Sequence, residues 1–294
     1  LRGFPFNRYP DPLGNELRDL IAEANGLSRE NVLLGNGGDE LLFNLALTWG
    51  GPGRTFLNVP PTFSVSEANA RLTGTEEAVL ARMAEGDIDF AVITSPNNPT
   101  GKMANETFLK KLLDSSDALI MVDEAYFEFS RFSMRPYLDQ YENLVILRTF
   151  SKAFSLAGVR MGYLLANTSV IREFLKVRQP YSVDSVSQAI ATAVYRNRSL
   201  FVPGINQIIE QRGVLLEELG KMPGVTAFDS DSNYVLFRVA DAGEVWRGLY
   251  DRGVLIRDFS CSQYLENCLR VSIGSPEENQ VFLDVLAEIL NERS

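Results

Sequence analysis

Four short apolar runs, each followed at once by a polar or aromatic cluster, constrain the fold of this chain most strongly. Each run has the length and the continuous apolar character of a buried strand. Segments with helical periodicity, such as 107–113, lie between them. This alternation predicts an α/β fold whose site lies at the carboxyl ends of the strands. The runs are 55–59, 90–94, 119–122 and 144–147.

The cluster after the last run combines a lysine with groups that suit an anion. Lys152 follows the hydroxyl residues Thr149 and Ser151. Arg160 lies eight residues further on. Lowering the pKa of a lysine from about 10.4 to roughly 7 requires about 4 to 5 kcal/mol, and the free amine can then attack a carbonyl. Hydroxyls and a guanidinium suit phosphate. A carbonyl and a phosphate on one small molecule suggest pyridoxal 5'-phosphate, although this segment alone is also compatible with an ordinary surface loop.

The overall charge argues against some classes of partner. The chain has 294 residues, a formal net charge of -10 and a pI near 4.8, which disfavours a general surface for nucleic acid or anionic membranes. No apolar run approaches the length of a membrane span, and the first residues lack the pattern of a signal peptide. We therefore expect a cytoplasmic protein with no nucleic-acid or membrane partner.

Histidine is absent, and the only cysteines are Cys261 and Cys268. The missing histidines exclude Ser-His and Cys-His catalysis and most zinc sites. The spacing of the two cysteines fits no metal signature, and two are too few for a disulfide framework. We predict no metal site, and proton transfer is left to lysine, tyrosine or a carboxylate.

The N-terminal part predicts an extended arm followed by a helix. Residues 1–12 have no clear period; Asp11 then caps and Pro12 opens a helix that Gly26 ends. A short strand next runs into a glycine-rich turn, 35–40, and a second helix. Free backbone N–H groups at such a turn can bind phosphate, although a purely structural turn is equally compatible.

The composition changes after a long amphipathic helix, 202–219. The pattern beyond it predicts a small α+β unit with strands 233–238, 254–257 and 268–273 and helices 242–252 and 276–290. We therefore predict an N-terminal arm (1–12), a large cofactor-binding domain (13–205) and a small C-terminal domain (206–294).

Five motifs in this order resemble the fold-type I pyridoxal-phosphate aminotransferases, and among them most closely the histidinol-phosphate aminotransferase branch. The similarity covers nearly the whole chain, and five ordered motifs are far more specific than any one of them. It implies an α/β fold in which a large domain has a mainly parallel central sheet between helices and a smaller C-terminal domain is α+β. The motifs are Gly-Gly-Asp-Glu (37–40), Pro-Pro-Thr-Phe (60–63), Ser-Pro-Asn-Asn-Pro-Thr-Gly (95–101), Asp-Glu-Ala-Tyr (123–126) and the segment from Ser151 to Tyr163.

The resemblance also implies roles around the cofactor ring. Lys152 would bond to the cofactor and, once freed by substrate, move a proton between the substrate and the cofactor. Asp123 would pair with the pyridine nitrogen and keep it protonated, so that the ring accepts electrons. Tyr126, the third catalytic residue, would hydrogen-bond the phenolic oxygen together with Asn98. Phe63 would stack on the ring, where the family often has tyrosine.

Further positions match the family's anion-binding groups. Arg270 would grip a substrate carboxylate or phosphate, and Arg257 resembles a second substrate-side arginine. Tyr9 would reach across a dimer interface to the cofactor phosphate and the substrate of the partner, which implies a homodimer. The implied phosphate site consists of Gly38, Asp39, Thr149, Ser151 and Arg160.

The implied reaction transfers an amino group from L-histidinol phosphate to 2-oxoglutarate in histidine biosynthesis. Two related activities share nearly all of these motifs: transamination of aromatic amino acids and decarboxylation of threonine phosphate. A non-catalytic regulatory domain that binds the cofactor is a more remote alternative. Such domains usually accompany a DNA-binding segment, and the sequence contains no basic segment of that kind.

Two departures from the family pattern affect the substrate more than the cofactor. The family has an N-terminal stretch resembling Asn-Glu-Asn-Pro that contributes to substrate binding, and no equivalent is recognisable in this sequence. The sequence around Gly74–Glu77 is also shorter than in the family. Either this member is compact, or the sequence lacks these parts.

Overall fold

A computed structural model describes residues 4–79 and 88–293 of the chain. Its main feature is a seven-stranded sheet of order β1-β7-β6-β5-β4-β2-β3. The pairs from β3 to β6 are parallel, whereas β7 runs antiparallel to both β6 and β1. The strands are β1 (Val32–Asn36), β2 (Thr55–Asn58), β3 (Glu76–Val79), β4 (Phe90–Thr94), β5 (Leu119–Asp123), β6 (Leu144–Thr149) and β7 (Met161–Ala166).

Helices cover both faces of this sheet, which explains why its strands read as continuous apolar runs. In β5, Ile120 and Val122 belong to one hydrophobic cluster and Leu119 and Met121 to the other, on the opposite face. The helices are α1 (Asn15–Asn25), α2 (Gly37–Trp49), α3 (Ser64–Thr73), α4 (Glu106–Ser115), α5 (Phe127–Ser130), α6 (Thr168–Val177), α7 (Ser185–Arg196), α8 (Val202–Lys221), α9 (Ala242–Asp251) and α10 (Pro276–Glu292).

A second, antiparallel sheet follows α8 in the chain. Its four strands have the order β10-β11-β9-β8, and a separate hydrophobic cluster joins it to α8, α9 and α10. The predicted fold class, a mainly parallel sheet between helices with a smaller α+β part, is therefore confirmed. The domain boundary near residue 205 stays a prediction. The strands are β8 (Val225–Ala227), β9 (Tyr234–Val239), β10 (Arg257–Asp258) and β11 (Cys268–Ser272).

Two predicted boundaries were wrong. Helix α1 begins at Asn15 and not at Pro12, because Gly14 adopts a left-handed conformation and the Asp11 carboxylate accepts the N–H groups of Leu13 and Asn15. Of the predicted strand 254–257, only Arg257 lies in a strand, the two-residue β10. The elements α3, α5, β3 and β8 were not predicted. Within the described ranges, no helix is long and apolar enough to cross a bilayer.

Strand β7, which runs antiparallel to both of its neighbours, approaches the start of α2 very closely. Gly162 of β7 pairs with Gly35. A Cβ atom on Gly162 would lie 2.9 Å from the Gly37 carbonyl carbon and 2.9 Å from the Gly38 nitrogen. Gly37 itself has a φ of 78°, a conformation that favours glycine. The absence of side chains at these positions brings the N-terminus of α2 against the sheet.

We predict that Gly162→Ala lowers the free energy of unfolding by about 1–3 kcal/mol, because the added methyl group displaces rigid backbone. The matched control is Gly213→Ala in α8, where a Cβ atom meets nothing within 4 Å and a better helix former raises stability by up to about 1 kcal/mol. Urea denaturation of both variants measures the difference. Equal stability of Gly162→Ala and the wild type would contradict the proposed close approach.

Candidate active site

The loops after β4, β5 and β6 and the start of α2 enclose a cavity of about 210 Å³. The carboxyl ends of parallel neighbouring strands meet at one edge of the sheet, so side chains that are distant in sequence come together there. Ten residues predicted from the sequence line this cavity: Gly38, Asp39, Phe63, Asn98, Asp123, Tyr126, Thr149, Ser151, Lys152 and Arg160. The prediction missed the remaining lining residues, which are Leu42, Thr94, Ala125, Leu147 and Ala157.

Asp123, the last residue of β5, is the buried carboxyl group of this cavity, 5% exposed. Its Oδ1 atom accepts a hydrogen bond of 3.0 Å from the Ala125 N–H. Burial raises the pKa of Asp123 to about 7, and the Ala125 N–H and the Lys152 amine only partly oppose this shift. A cation close to Asp123 would therefore stabilise the ionised carboxylate, which burial disfavours.

Lys152 faces the same cavity. Burial lowers the pKa of Lys152 below its ordinary value, and the positive charge of Arg270 adds to this effect, whereas Asp123 acts in the opposite direction. The lysine Nζ atom lies 5.5 Å from the centre of the Tyr126 ring. Burial also raises the pKa of Tyr126 to about 12, so its hydroxyl remains a proton donor at neutral pH. The surroundings of this lysine thus favour its neutral form more than water does.

One end of the cavity has the groups of an anion site. The start of α2 lies there, and the side chain of Asn36 at its N-cap makes no capping bond, so the helix N-terminus can serve an external anion. The Thr149 hydroxyl lies 3.0 Å from the Ser151 hydroxyl. Arg160 donates to the Asp39 carboxylate at 2.7 Å, and both side chains are about half exposed.

These groups fit a phosphate in number and in chemistry. Hydroxyls, helix N–H groups and a guanidinium are all donors that phosphate accepts. A Cβ atom on Gly37 would lie 2.6 Å from Arg160 Nη2, so the glycine leaves the space in which the guanidinium sits. Phe63 supplies an aromatic wall and Asp123 a carboxylate in the same cavity. The residues present therefore suit a planar, cationic ring that carries a phosphate.

Arg270 of β11 extends the site toward the second sheet. Its Nη1 atom donates to Asn98 Oδ1. Its Nε atom is buried and has no hydrogen-bond partner among the described residues. A buried, unsatisfied guanidinium donor is costly, which favours an acidic ligand beside it.

Three predicted residues do not line the 210 Å³ cavity: Arg270, Arg257 and Tyr9. Arg257 is exposed, pairs with Arg270 across β10 and β11, and lies 5.7 Å from the Phe259 ring centre. It lines, with Arg270, a separate cavity of about 800 Å³. Tyr9 is 81% exposed and stacks on Tyr181 at 4.6 Å between ring centres. The substrate-side role of Arg257 and the cross-subunit role of Tyr9 stay predictions.

Sequence reasoning also missed a buried ion pair behind the cavity. Arg148 Nε donates to Glu124 Oε2 at 3.0 Å, and the two side chains are 6% and 1% exposed. Glu124 follows Asp123, and Arg148 precedes Thr149. One sequence signal could have indicated this pair. The two residues have opposite charges, and each lies directly beside a predicted site residue at the end of an apolar run.

Comparisons with known proteins agree with this geometry. The model of the family described as aminotransferase class I and II matches residues 2–286. The chain is 38% identical over 300 residues to a histidinol-phosphate aminotransferase of Chlorobium phaeovibrioides, covering 97% of this chain and 83% of that relative.

Two solved structures share the fold. L-threonine-O-3-phosphate decarboxylase from Porphyromonas gingivalis superposes with a TM-score of 0.87 at 25% identity, covering 97% of this chain and 91% of that one. Histidinol-phosphate aminotransferase from Sinorhizobium meliloti, solved in complex with pyridoxal-5'-phosphate, superposes with a TM-score of 0.88 at 21% identity, covering 98% and 84%.

Fold and site together define an α/β protein of the fold-type I aminotransferase class. The chain belongs to the aminotransferase class I and II family. The resemblance to histidinol-phosphate aminotransferases predicted from the motifs is confirmed.

We predict that burial of Asp123 makes the stability of the cofactor-free protein depend on pH. An unfolded aspartate titrates near 3.9, and the pKa of folded Asp123 is raised to about 7. Between these two pKa values the folded state keeps a proton that the unfolded state has released. The free energy of unfolding therefore falls by about 4 kcal/mol in total as the pH rises from about 4 to about 7.

Asp123→Asn should remove this dependence because an amide does not titrate, and the amide oxygen can still accept the Ala125 N–H. Urea denaturation at several pH values measures the free energy of unfolding of both proteins. The free energy of unfolding of the variant is expected to exceed that of the wild type. This difference should grow up to about pH 7 and stay constant above it. A margin that does not change with pH would show that Asp123 is not held in this environment.

Proposed function

We propose that this chain is a pyridoxal-phosphate-dependent aminotransferase that uses L-histidinol phosphate as amino donor and 2-oxoglutarate as acceptor, in histidine biosynthesis. The observation that carries this proposal is the meeting of Lys152, Asp123 and an anion site in one cavity. The family membership supports the reaction class, and the curated relatives at 34–38% identity support the donor.

When bound, pyridoxal phosphate supplies an aldehyde that takes up the amino group and a ring that withdraws electrons. Asp123 would face the ring nitrogen, and a cationic nitrogen there would offset the burial that disfavours the carboxylate. Phe63 would cover one face of the ring. The helix N-terminus at Gly38, with Thr149, Ser151 and Arg160, would hold the phosphate.

Proton transfer falls to Lys152 in this proposal. Its amine lines the cavity and its pKa is lowered by burial, which favours the neutral form that can accept a proton from the substrate's α-carbon. The same group would return that proton to the cofactor's C4' carbon. Tyr126 and Asn98 would donate to the phenolic oxygen and hold the ring in place.

The two substrates share the property of carrying several negative charges. Histidinol phosphate has a phosphate group, and 2-oxoglutarate has two carboxylates. The buried Nε atom of Arg270 has no partner in the described part of the chain, so Arg270 would bind an acidic group of either substrate. Arg257 would add a second positive charge. One site can then accept both substrates in turn, as a ping-pong reaction requires.

The proposal includes a cytoplasmic homodimer. Tyr9 and Tyr181 form an exposed aromatic pair on the surface, and such a pair suits burial by a second subunit. In that dimer Tyr9 of one subunit would reach the cofactor phosphate and the substrate of the other.

Decarboxylation of threonine phosphate is the second candidate. The decarboxylase from Porphyromonas gingivalis has the same fold at a TM-score of 0.87. Histidinol phosphate and threonine phosphate both carry an amine and a phosphate, so the anion-binding residues alone do not distinguish the two reactions. Release of carbon dioxide distinguishes them, because only the decarboxylation produces it.

The test is a half-reaction screen of the purified, cofactor-loaded protein. Histidinol phosphate, phenylalanine, aspartate and threonine phosphate are added singly, and the conversion of the cofactor to its amine form is followed by absorbance together with carbon dioxide release. We expect histidinol phosphate to react with a specificity constant at least about tenfold above the others, a difference of about 1.4 kcal/mol.

The matched control is Lys152→Ala, which should bind cofactor without the absorbance of the lysine-bound form and without turnover. Faster conversion of phenylalanine, or carbon dioxide release from threonine phosphate, would contradict the proposed donor. A wild-type spectrum in Lys152→Ala would contradict the assignment of the lysine.

A further inference from the structure

Tyr234, the first residue of β9, connects three parts of the site although it does not line the cavity. Its side chain is 2% exposed. The Arg270 guanidinium lies over its ring at 4.7 Å from the centre. The Tyr126 ring meets it edge-on, with 5.2 Å between centres and an angle of 88°.

The hydroxyl of Tyr234 makes the third connection. It donates a hydrogen bond of 2.8 Å to the backbone carbonyl of Asn97, the residue before Asn98 in the loop after β4. Burial raises the pKa of Tyr234 well above its ordinary value, which favours the protonated hydroxyl. The hydroxyl can therefore donate this hydrogen bond to the loop.

The sheet register explains why Tyr234 and Arg270 meet. Leu236 of β9 pairs with Arg270 of β11, and Tyr234 pairs with Ser272. Tyr234 and Leu236 are two residues apart, so their side chains lie on one face of the sheet. Tyr234 is thus the diagonal neighbour of Arg270, a distance that an aromatic ring and an arginine can bridge.

We propose that Tyr234 is a positioning residue that sets the affinity for the acidic group of the substrate. Its ring holds the Arg270 guanidinium in place, and its hydroxyl holds the loop whose Asn98 accepts from that guanidinium. A guanidinium held in advance loses less conformational freedom on binding a carboxylate or phosphate. This proposal rests on the proposed function, in which Arg270 binds that group.

The ordinary alternative is that Tyr234 only fills the core, where it packs with Tyr126, Phe129 and Ala153. Tyr195 provides the comparison. It is also buried, 4% exposed, and its hydroxyl accepts a long bond of 3.5 Å from Asn25. Its ring packs against Phe150, Phe154 and Tyr163, none of which lines the cavity. Loss of its ring should lower stability without changing substrate binding.

The experiment compares Tyr234→Leu, Tyr234→Phe and Tyr195→Leu in the cofactor-loaded protein. Dissociation constants for the cofactor and for histidinol phosphate are measured by absorbance, and thermal stability by calorimetry. For Tyr234→Leu we expect the donor constant to rise about tenfold, since a desolvated cation–π contact has this magnitude. The cofactor constant should change less than about twofold.

Tyr234→Phe keeps the ring and loses the bond to Asn97, so the donor constant should rise about threefold. This milder change keeps the test open if the leucine variant does not fold. Donor binding equal to the wild type in the phenylalanine variant would overturn the role of the hydroxyl. The same result in the leucine variant, or an equal loss in Tyr195→Leu, would overturn the positioning role altogether.

A crystal structure of each Tyr234 variant supplies a second readout that does not depend on the donor. We expect the Arg270 guanidinium to leave Asn98 in the leucine variant, and an unchanged contact would contradict the proposal. If the wild-type protein converts none of the four compounds in the half-reaction screen, the proposed function itself is contradicted.

Discussion

The buried ion pair between Glu124 and Arg148 is the interaction on which the arrangement of the site depends. Removing two charges from water costs several kcal/mol each, so such a pair persists only when further hydrogen bonds satisfy it. Glu124 accepts from the Met134 N–H at 2.6 Å and the Ser133 hydroxyl at 2.8 Å, and Arg148 donates to Asn25 at 3.1 Å. The pair thus joins the ends of β5 and β6 to the end of α1.

The consequence for the cavity follows from the chain. Asp123 precedes Glu124, and Thr149 follows Arg148, so a fixed ion pair fixes the backbone of both neighbours. Asp123 and Lys152 then line the same small cavity, where the pKa of Asp123 is raised and that of Lys152 is lowered. The protein alone leaves both charges poorly satisfied, and a bound group with a cation for Asp123 and a carbonyl for Lys152 would complete the site.

Much of this arrangement could be predicted from the sequence. The four apolar runs predicted β2, β4, β5 and β6, because strands buried on both faces carry a continuous apolar signal. Ten predicted site residues line one cavity, since each motif directly follows a strand or opens a helix. By contrast, β3 and β8 are short and carry weak periodicity, and the antiparallel direction of β7 has no local signal.

Contacts between distant segments could not be predicted in this way. Tyr234 and Arg270 meet only through the register of β9 and β11, and Arg148 meets Glu124 only because β5 and β6 are neighbours. The predicted helix start at Pro12 failed for a local reason, since the Asp11 side chain closes a turn before the left-handed Gly14. Sequence patterns thus indicate which residues have chemical roles, whereas the residues that position them depend on tertiary packing.

The central claim is that Lys152 is the residue that binds the cofactor covalently. Borohydride reduction of the pyridoxal-phosphate-loaded protein, followed by peptide mass mapping, tests it most directly. We expect one phosphopyridoxyl group per chain, located on the peptide that contains Lys152. An adduct on another lysine, or none after reduction, would contradict the claim.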